Sequence, residues 1–595
     1  MNKSNYKVPK LKVNSSANLY SLTKYAFNSF EKKIRVKIVI QICLMAILAF
    51  TEALGAALIV PYVALLNNPE QITSNSYFLY FFGDGAKRHS DFIIGYASLI
   101  LLIFFITKNL FSVWVFSRQF KLVYGEMSKK SAGMFRKYMT RSLVEHTESN
   151  SPDLIRNITN EVNLYFTNYL IPALTCLTEM MVLLAMVTVL LLIATMPTIA
   201  ALMIIGGLTT IFYVIVKKQV SRYGKQAQNE NSERIRWVNQ AINTFKESKL
   251  SKLEDFFVEK FRGHEEKFAE SSQYAMLLNQ TPRLFIESLA YSSLFIGVIF
   301  AIIYGQDRGQ IMPILALFAV AAVRLLPSIN RIIQSLTRMS YHRHSAEIAL
   351  IECELEFPRQ QSNVYDKKNK NHFENWRTVN FQNVSFSYGN SKKSVLYSLN
   401  ITLNRYQSVA LIGPSGSGKT TFVDILLGLL TPTSGIVDVD GTDIAANLTE
   451  WQKRLAYIPQ SIYLIDSDIR SNVAIGLSEN DIDDALVWEA LSGARLDVFV
   501  KAQPEGLNFK VGENGARMSG GQRQRLGIAR ALYRRPELLV MDESTSALDK
   551  ETEREISETI RILSSECTFV IIAHRPETIR NCNKVYKIIE GQVRL

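Results

Sequence analysis

The chain has 595 residues, of which 48% are hydrophobic, and a formal net charge of +13. That length exceeds what one hydrophobic core holds, and it predicts two to four domains. Long apolar runs crowd the first 335 residues, so the composition excludes a uniformly soluble protein and predicts a membrane part followed by an α/β part. Basic residues lie beside the apolar runs, as at 32–37, where attraction to anionic lipid explains them and no nucleic-acid partner is expected.

The first half of the chain predicts an N-terminal arm and six membrane spans. Residues 1–30 are polar and basic and lack the apolar segment of a signal peptide, so they predict a cytoplasmic arm. Each apolar stretch that follows is about long enough to cross a bilayer as a helix, at roughly 1.5 Å per residue. Two long charged connections between stretches predict helical extensions into the cytosol. The stretches lie at roughly 38–66, 92–117, 169–194, 196–217, 284–304 and 311–335.

The connection after the first stretch contains an aromatic segment at residues 76–82. This segment is too short to span a bilayer. One interpretation is a segment that lies at the level of the lipid headgroups, where aromatic side chains are enriched. The alternative is a loop that rests against neighbouring helices.

A polar, turn-rich stretch at 357–376 predicts a linker. The linker separates a membrane domain at 31–356 from a second domain at 377–595. The second domain begins with an alternating pattern that predicts an antiparallel edge strand, carried by Val379, Phe381, Val384 and Phe386. Strands and helices alternate after it, which indicates an α/β fold.

Residues 413–420 read G-x-x-x-x-G-K-T between an apolar strand pattern and an amphipathic helix pattern, the context of a P-loop. The glycines let backbone N–H groups turn towards phosphates, Lys419 reaches the β- and γ-phosphates, and the Thr420 hydroxyl is offered to Mg²⁺. The segment therefore predicts a site for a nucleoside triphosphate and Mg²⁺. The predicted contacts are Gly413, Ser415, Gly416, Ser417, Gly418, Lys419, Thr420 and Thr421.

Two adjacent acids end a second apolar strand pattern at 538–543. Asp542 is predicted to hold Mg²⁺, directly or through water. Glu543 is placed to polarise the attacking water as a general base.

A third segment, Met518 to Gln522, precedes a long helical pattern and places a serine and two glycines where a helix N-terminus binds phosphate. Ser519, Gly520, Gly521 and Gln522 are its predicted ATP-binding residues. Together with the P-loop, Gln460 in Y-I-P-Q, the S-A-L-D segment at 546–549 and His574, this segment resembles the nucleotide-binding domain of ATP-binding cassette (ABC) proteins.

The resemblance to ABC proteins covers 377–595 and implies a homodimer in which two chains enclose two ATP molecules. Lys419 of one subunit would face Ser519 and Gly521 of the other. Gln460 would sense Mg²⁺ and the membrane domain, His574 would contact the γ-phosphate, and Tyr388 would stack on adenine. The membrane half would then have the type I ABC exporter fold, because the segment at 511–515 resembles the cross-linking loop of exporters. Met518 and Ser544 depart from the usual family residues without replacing a phosphate contact.

Four cations lie in or beside the apolar stretches, where a centred charge costs about 2.5–3.5 kcal/mol on insertion scales. They are predicted to contact an anionic substrate in a wet cavity. Arg324, Arg331 and Arg338 recur every seven residues and form one stripe on a helix. Alternatively, some of them reach the headgroups, or they pair with the acids Glu52 and Glu179. The predicted substrate residues are Lys108, Arg283, Arg324 and Arg331.

The membrane half also resembles the lipid-linked oligosaccharide flippases of bacterial protein N-glycosylation. The likeness rests on Glu52, Pro282-Arg283, the segment 324–333 and the aromatic segment. It implies that cavity cations engage a substrate pyrophosphate and that the external aromatic segment meets the lipid tail.

The sequence therefore predicts a homodimeric ATP-driven exporter of the bacterial inner membrane, with both termini and the ATPase domain in the cytoplasm. Its predicted substrate is a polyprenyl-diphosphate-linked oligosaccharide, moved from the inner to the outer leaflet. The alternative is an exporter of a peptide, another lipid or a hydrophobic drug. The predicted spans argue against a soluble cassette protein.

Overall fold

The structure is a computed structural model. It describes residues 19–67, 90–147, 151–193, 206–303, 308–354, 373–389, 394–542, 566–573 and 576–594, together with isolated positions between 195 and 203 and between 554 and 564. The aromatic segment at 76–82, the predicted general base Glu543 and the predicted γ-phosphate contact His574 lie outside these residues. Their roles stay predictions.

The chain divides into two compact units. The helical unit comprises Met1–Thr140 and Ser149–Pro358, and the α/β unit comprises Arg141–Glu148 and Arg359–Leu595. The short segment 141–148 thus groups with the second unit, although the sequence placed it inside the membrane domain. The predicted domain boundaries at 356 and 377 stay predictions.

The helical unit consists mainly of long helices. An α-helix satisfies its backbone hydrogen bonds within one segment, so it is the structure that a long apolar run adopts in a membrane. Within the described residues, three spans are long and apolar enough to cross a membrane, namely Lys32–Ile59, Ile94–Met139 and Asp153–Leu192. The count of six spans stays a prediction. The helices are α1 (Leu19–Asn28), α2 (Lys32–Asn67), α3 (Ser90–Met139), α5 (Ser151–Arg156), α6 (Val162–Leu164), α7 (Ile171–Ile193), α8 (Gly207–Asn243), α9 (Phe245–Ser251), α10 (Glu254–Ile303), α11 (Arg308–Tyr341) and α12 (Arg343–Glu354), while α4 (Leu143–Thr147) belongs to the α/β unit.

The charged connections predicted as helical extensions are helical. Helix α3 runs on to Met139, and α8 and α10 extend over 207–243 and 254–303. Helix α8 also approaches α11 closely at Gly224, where an added Cβ would lie 2.5 Å from the carbonyl oxygen of Tyr341. A glycine is therefore needed at this crossing.

A six-stranded sheet forms the centre of the α/β unit, in the order β10-β9-β3-β8-β7-β6. Its strands from β9 to β6 pair in parallel, and β10 pairs antiparallel with β9. The P-loop strand lies inside the sheet, as its apolar run predicts, and Val409, Ala410 and Leu411 are buried there. The six strands are β3 (Ser408–Ile412), β6 (Leu455–Ile458), β7 (Leu538–Asp542), β8 (Thr568–Ile572), β9 (Lys584–Ile589) and β10 (Gln592–Arg594).

The first strand of the α/β unit corrects one expectation. It is antiparallel, as predicted, but it is not an edge strand, because it pairs with a strand on each side. The second sheet has the order β2-β1-β4-β5 and contains β1 (Thr378–Phe386), β2 (Leu396–Asn404), β4 (Ser434–Val439) and β5 (Thr442–Asp443).

Two apolar clusters hold the α/β unit together. One joins the antiparallel sheet to the P-loop helix and buries Trp376, Phe422 and Trp451, and Leu143 and Val144 of α4 pack against it. The other lies under the later helices. The helices of this unit are α13 (Lys419–Leu426), α14 (Leu448–Gln452), α15 (Ile469–Val473), α16 (Asp484–Gly493), α17 (Asp497–Lys501), α18 (Gly520–Leu532) and α19 (Pro576–Arg580).

Candidate functional site

The P-loop connects the end of β3 to the start of α13. Gly413 begins the loop at φ 151°, and an added Cβ would lie 2.1 Å from the carbonyl oxygen of Ile588. Only glycine fits there, so the loop backbone lies against the neighbouring strand β9. The loop ends at the N-terminus of α13, where an anion is favoured.

Lys419 is buried at the start of α13, with 6% of its surface exposed. Its Nζ donates to the carbonyl oxygens of Gly413 at 2.9 Å and Pro414 at 3.0 Å. The loop is thus folded around an ammonium group. In the described part of the chain, the buried hydroxyl of Ser417 has no hydrogen-bond partner. A buried donor without a partner and a buried cation both fit a phosphate.

Tyr388 lies beside the same helix. Its hydroxyl is 3.2 Å from Oγ1 of Thr421, and its ring packs edge-on against Phe386 with centroids 4.9 Å apart. The ring is partly exposed, at 39%. The structure therefore brings together the P-loop helix and the tyrosine predicted to stack on adenine, and the stacking itself stays a prediction.

The predicted Mg²⁺ ligands occupy one edge of the parallel sheet. Asp542 ends β7, Gln460 follows the end of β6, and Thr420 is exposed in the first turn of α13. Carboxyl ends of parallel strands meet at the same edge of a sheet, where such ligands bind. Carboxylate, amide and hydroxyl oxygens suit Mg²⁺, so this set of residues fits the ion.

The structure adds two residues that sequence reasoning missed. The hydroxyl of Tyr457, in β6, donates to Oδ2 of Asp542 at 3.4 Å. Asp424, in α13, has its pKa raised to about 6, first by burial and then by the charge of Asp542. Burial, followed by the charges of both carboxylates, also raises the pKa of Tyr457. The sequence did offer signals for these two residues: Asp424 is an acid in the helix that follows the P-loop, and Tyr457 lies near the end of the strand that precedes Gln460.

We expect Tyr457→Phe to raise the Mg²⁺ concentration for half-maximal ATP hydrolysis about fivefold, because a long hydrogen bond to a carboxylate contributes about 1 kcal/mol. The phenol orients Asp542, so its loss should leave ATP binding without Mg²⁺ unchanged. Magnesium titrations of ATPase rate test this, with the exposed Tyr463→Phe as control. An unchanged magnesium dependence would remove the positioning role of Tyr457.

The segment from Met518 to Gln522 begins α18 with a capping box. The Ser519 hydroxyl accepts from the backbone N–H of Gln522 at 3.2 Å, and the Gln522 side chain accepts from the backbone N–H of Ser519 at 2.9 Å. Both side chains therefore fix the helix start. Gly520 is exposed beside them. Met518 is 6% exposed and belongs to an apolar cluster, where a methionine replaces leucine at similar volume.

Three of the four predicted substrate cations are paired with acids. Lys108 Nζ lies 2.8 Å from Oε1 of Glu52, and both side chains are largely buried. This outcome matches the alternative in which intramembrane acids neutralise the cations. Arg283, whose side chain is 59% exposed, bonds Glu287 one turn away at 2.8 Å.

Arg331 is also paired with an acid and stays about half exposed. Its Nη1 lies 2.5 Å from Oε1 of Glu179, and the side chains are 54% and 7% exposed, respectively. A guanidinium has five N–H donors, so one bond to Glu179 leaves others for a ligand. Arg324 lies two turns earlier in α11, and its side chain is outside the described residues.

Comparison with known proteins extends these observations. A family model described as ABC transporter matches residues 396–546. The chain is 31% identical over 385 residues to an ATP-dependent lipid A-core flippase of Cupriavidus pinatubonensis, covering 64% of this chain and 63% of that protein. It is 38% identical over 217 residues to ABC transporter B family member 13 of Arabidopsis thaliana, covering 36% of this chain and 17% of that protein. The chain thus spans less than two thirds of the curated relatives that it matches here.

A solved structure of a bacterial Atm1-family ABC exporter with ATP bound matches at a TM-score of 0.73 and 20% identity, covering 95% of both chains. At that identity the likeness establishes the fold. The predicted fold class, a helical part and an α/β P-loop domain in one chain with the fold of an ABC exporter, is confirmed.

Proposed function

We propose that this chain, whose residues 396–546 match the ABC transporter family model and whose fold is that of an ABC exporter, hydrolyses ATP to export a lipid-like, amphipathic substrate. The observation that carries the proposal is the P-loop, folded around the buried Lys419 ammonium beside the Ser417 hydroxyl, which has no hydrogen-bond partner among the described residues. A triphosphate supplies the anion that both groups fit. The first test is ATP hydrolysis by the purified chain in lipid.

The residues of the site divide the work of hydrolysis. Lys419 and the P-loop N–H groups would hold the phosphates, and Thr420, Asp542 and Gln460 would hold Mg²⁺, which would neutralise phosphate charge. Glu543 accepts the proton of the attacking water. Tyr457 keeps the Asp542 carboxylate oriented through its hydrogen bond.

The proposed assembly is a homodimer in which each ATP site is shared. The exposed Ser519 and Gly520 at the start of α18 support this, since a capped helix N-terminus offers N–H groups to a phosphate from another subunit. Within one chain these groups belong to a different helix from the P-loop.

We expect heterodimers of Lys419→Ala and Ser519→Arg chains to keep one intact composite site, because both lesions fall on the other site. Cross-linked heterodimers should bind about one ATP, whereas each mutant homodimer should bind none tightly. Equilibrium binding with labelled ATP measures this stoichiometry. Heterodimers without any ATP binding would contradict the shared sites.

The finer substrate proposal is a polyprenyl-diphosphate-linked oligosaccharide, moved from the inner to the outer leaflet of a bacterial inner membrane. Arg331 supports it, because a half-exposed guanidinium in an apolar helix suits a diphosphate. Arg324 belongs to the same predicted stripe of arginines and would contact the same diphosphate. Lys108 forms an ion pair with Glu52, so we assign it a pairing role in place of a direct substrate contact.

The second candidate function is export of another lipid, a peptide or a hydrophobic drug by the same machinery. The partial match to a lipid A-core flippase supports a lipid substrate. Flipping of labelled polyprenyl diphosphate sugar and of labelled lipid A-type glycolipid, in matched proteoliposomes with and without ATP, separates the candidates. Transport of only the second compound would overturn the diphosphate-linked oligosaccharide and leave ATP-driven export in place.

A further inference from the structure

Helices α2 and α3 run antiparallel in a register that two contacts fix. Glu52 pairs with Lys108 at 2.8 Å, and the side chain of Gln41 donates to the carbonyl oxygen of Val115 at 3.1 Å. As numbering falls along α2, it rises along α3. At about 1.5 Å per residue, residues near 33–40 therefore lie level with residues near 118–125.

Four cations sit on the same side of this helix pair. An α-helix turns about 100° per residue, so the angle of each cation can be counted from the contact residues of its own helix. Lys33 and Lys37 are displaced to one side of the contact residues of α2. Arg118 and Lys121 are displaced from the contact residues of α3 in the same rotational sense. Because the helices run in opposite directions, equal senses of rotation lead to one side of the pair. We call these four residues the basic flank.

The basic flank is exposed and uncompensated. All four side chains are exposed, and none forms an ion pair with the described part of the chain. The acid nearest along α3, Glu126, pairs with Lys129 at 2.9 Å. The cations span levels equivalent to about eight residues, or about 10 Å along the pair. This depth is comparable to the headgroup layer of one leaflet, roughly 5–8 Å.

Apolar and aromatic side chains continue the same side towards the membrane. The guanidinium of Arg118 lies 5.8 Å from the centre of the Trp114 ring, and this ring stacks on Phe111 at 5.9 Å. Trp114 is 50% exposed, and Ile40 and Ile47 are 41% and 52% exposed. A tryptophan between cations and apolar side chains is the arrangement of a membrane interface.

We propose that the basic flank binds the headgroup of an anionic glycerophospholipid in the cytoplasmic leaflet, with the acyl chains along Trp114, Ile40 and Ile47. The orientation rests on the proposed topology of the exporter, whereas the binding itself needs no transport. The occupant follows from charge complementarity, since four cations that form no ion pair with the described residues lie beside the ends of two predicted spans and attract anionic lipid. A second copy of this chain would instead have to bring acids to the flank.

The test compares lipid retention by three versions of the full-length chain. The first is wild type, the second carries Lys33→Gln, Lys37→Gln, Arg118→Gln and Lys121→Gln, and the third carries four matched glutamines at the exposed Lys225, Lys260, Arg262 and Lys267. Each is placed in nanodiscs with a graded fraction of phosphatidylglycerol in phosphatidylcholine. Bound lipid is counted by native mass spectrometry, without ATP.

We expect wild type and the third version to retain phosphatidylglycerol, and the second to need at least about tenfold more of it for equal retention, because each cation near an anionic surface contributes about 1 kcal/mol. Two double variants guard against misfolding of the fourfold variant, and each should give part of the loss of retention. They are Lys33→Gln with Lys37→Gln, and Arg118→Gln with Lys121→Gln. Equal retention by all versions would overturn the site. Loss of dimers with unchanged lipid retention would also overturn it. Because ATP is omitted, failure here leaves the proposed ATPase untouched.

Discussion

Glu543→Gln is expected to lower steady-state ATP turnover by about 100- to 10,000-fold while ATP remains bound, the range that general-base catalysis supplies. The amide cannot accept the proton of the attacking water, yet it replaces the carboxylate at nearly the same volume. Phosphate-holding residues such as Lys419 are untouched. Phosphate release measures the turnover, and retention of labelled ATP measures the binding.

Glu543 directly follows strand β7 in the sequence and itself lies outside the described residues. Strand β7 buries four consecutive residues from Leu538 to Met541 and pairs with β6 and β8 on its two sides, which fixes the end of the strand. Glu505→Gln, at an exposed glutamate of the same unit, is the control. Steady hydrolysis by the Glu543→Gln protein near the wild-type rate would show that another group activates the water.

Arg331→Ala is expected to abolish most translocation of a lipid diphosphate while ATP hydrolysis without substrate persists, because the nucleotide site is unchanged. Its guanidinium is 54% exposed although it bonds Glu179, so it has donors left for phosphate oxygens. Proteoliposome flipping and ATPase rate are measured on the same preparations. Arg338→Ala should reduce flipping less, since water solvates a charge beyond the headgroups.

Glu179 supplies the control that separates substrate binding from pairing. Removing Arg331 alone leaves a carboxylate that is 7% exposed without this partner, a change that itself destabilises a protein. The double variant Arg331→Ala with Glu179→Gln removes that cost. If Arg331 binds substrate, the double variant stays inactive, whereas recovery of flipping would reduce Arg331 to a counter-ion. Wild-type flipping by Arg324→Ala with Arg331→Ala would refute the diphosphate substrate.

The sequence by itself determined the features that lie in one continuous stretch. The P-loop needs a strand, glycines, a lysine and a helix in unbroken order along the chain. Local backbone geometry is enough to form the loop from such a stretch. The start of α18 is equally local, because Ser519 and Gln522 satisfy each other three residues apart. The antiparallel character of β1 also followed from its alternating pattern.

Only the tertiary structure decided which distant stretches meet. The pattern of β1 holds no information about β4, which arrives about fifty residues later and turns the predicted edge into an inner strand. Tyr457, Asp424 and Asp542 come from two strands and a helix, and none of these elements specifies the others. The sequence left the pairing of Lys108 with Glu52 as one of two interpretations. The apolar patterns of two helices predict where each helix spans the membrane, but not the register in which the helices pack. Packing between the helices selects one register, and that choice decides whether a membrane charge meets an acid or remains free for a ligand.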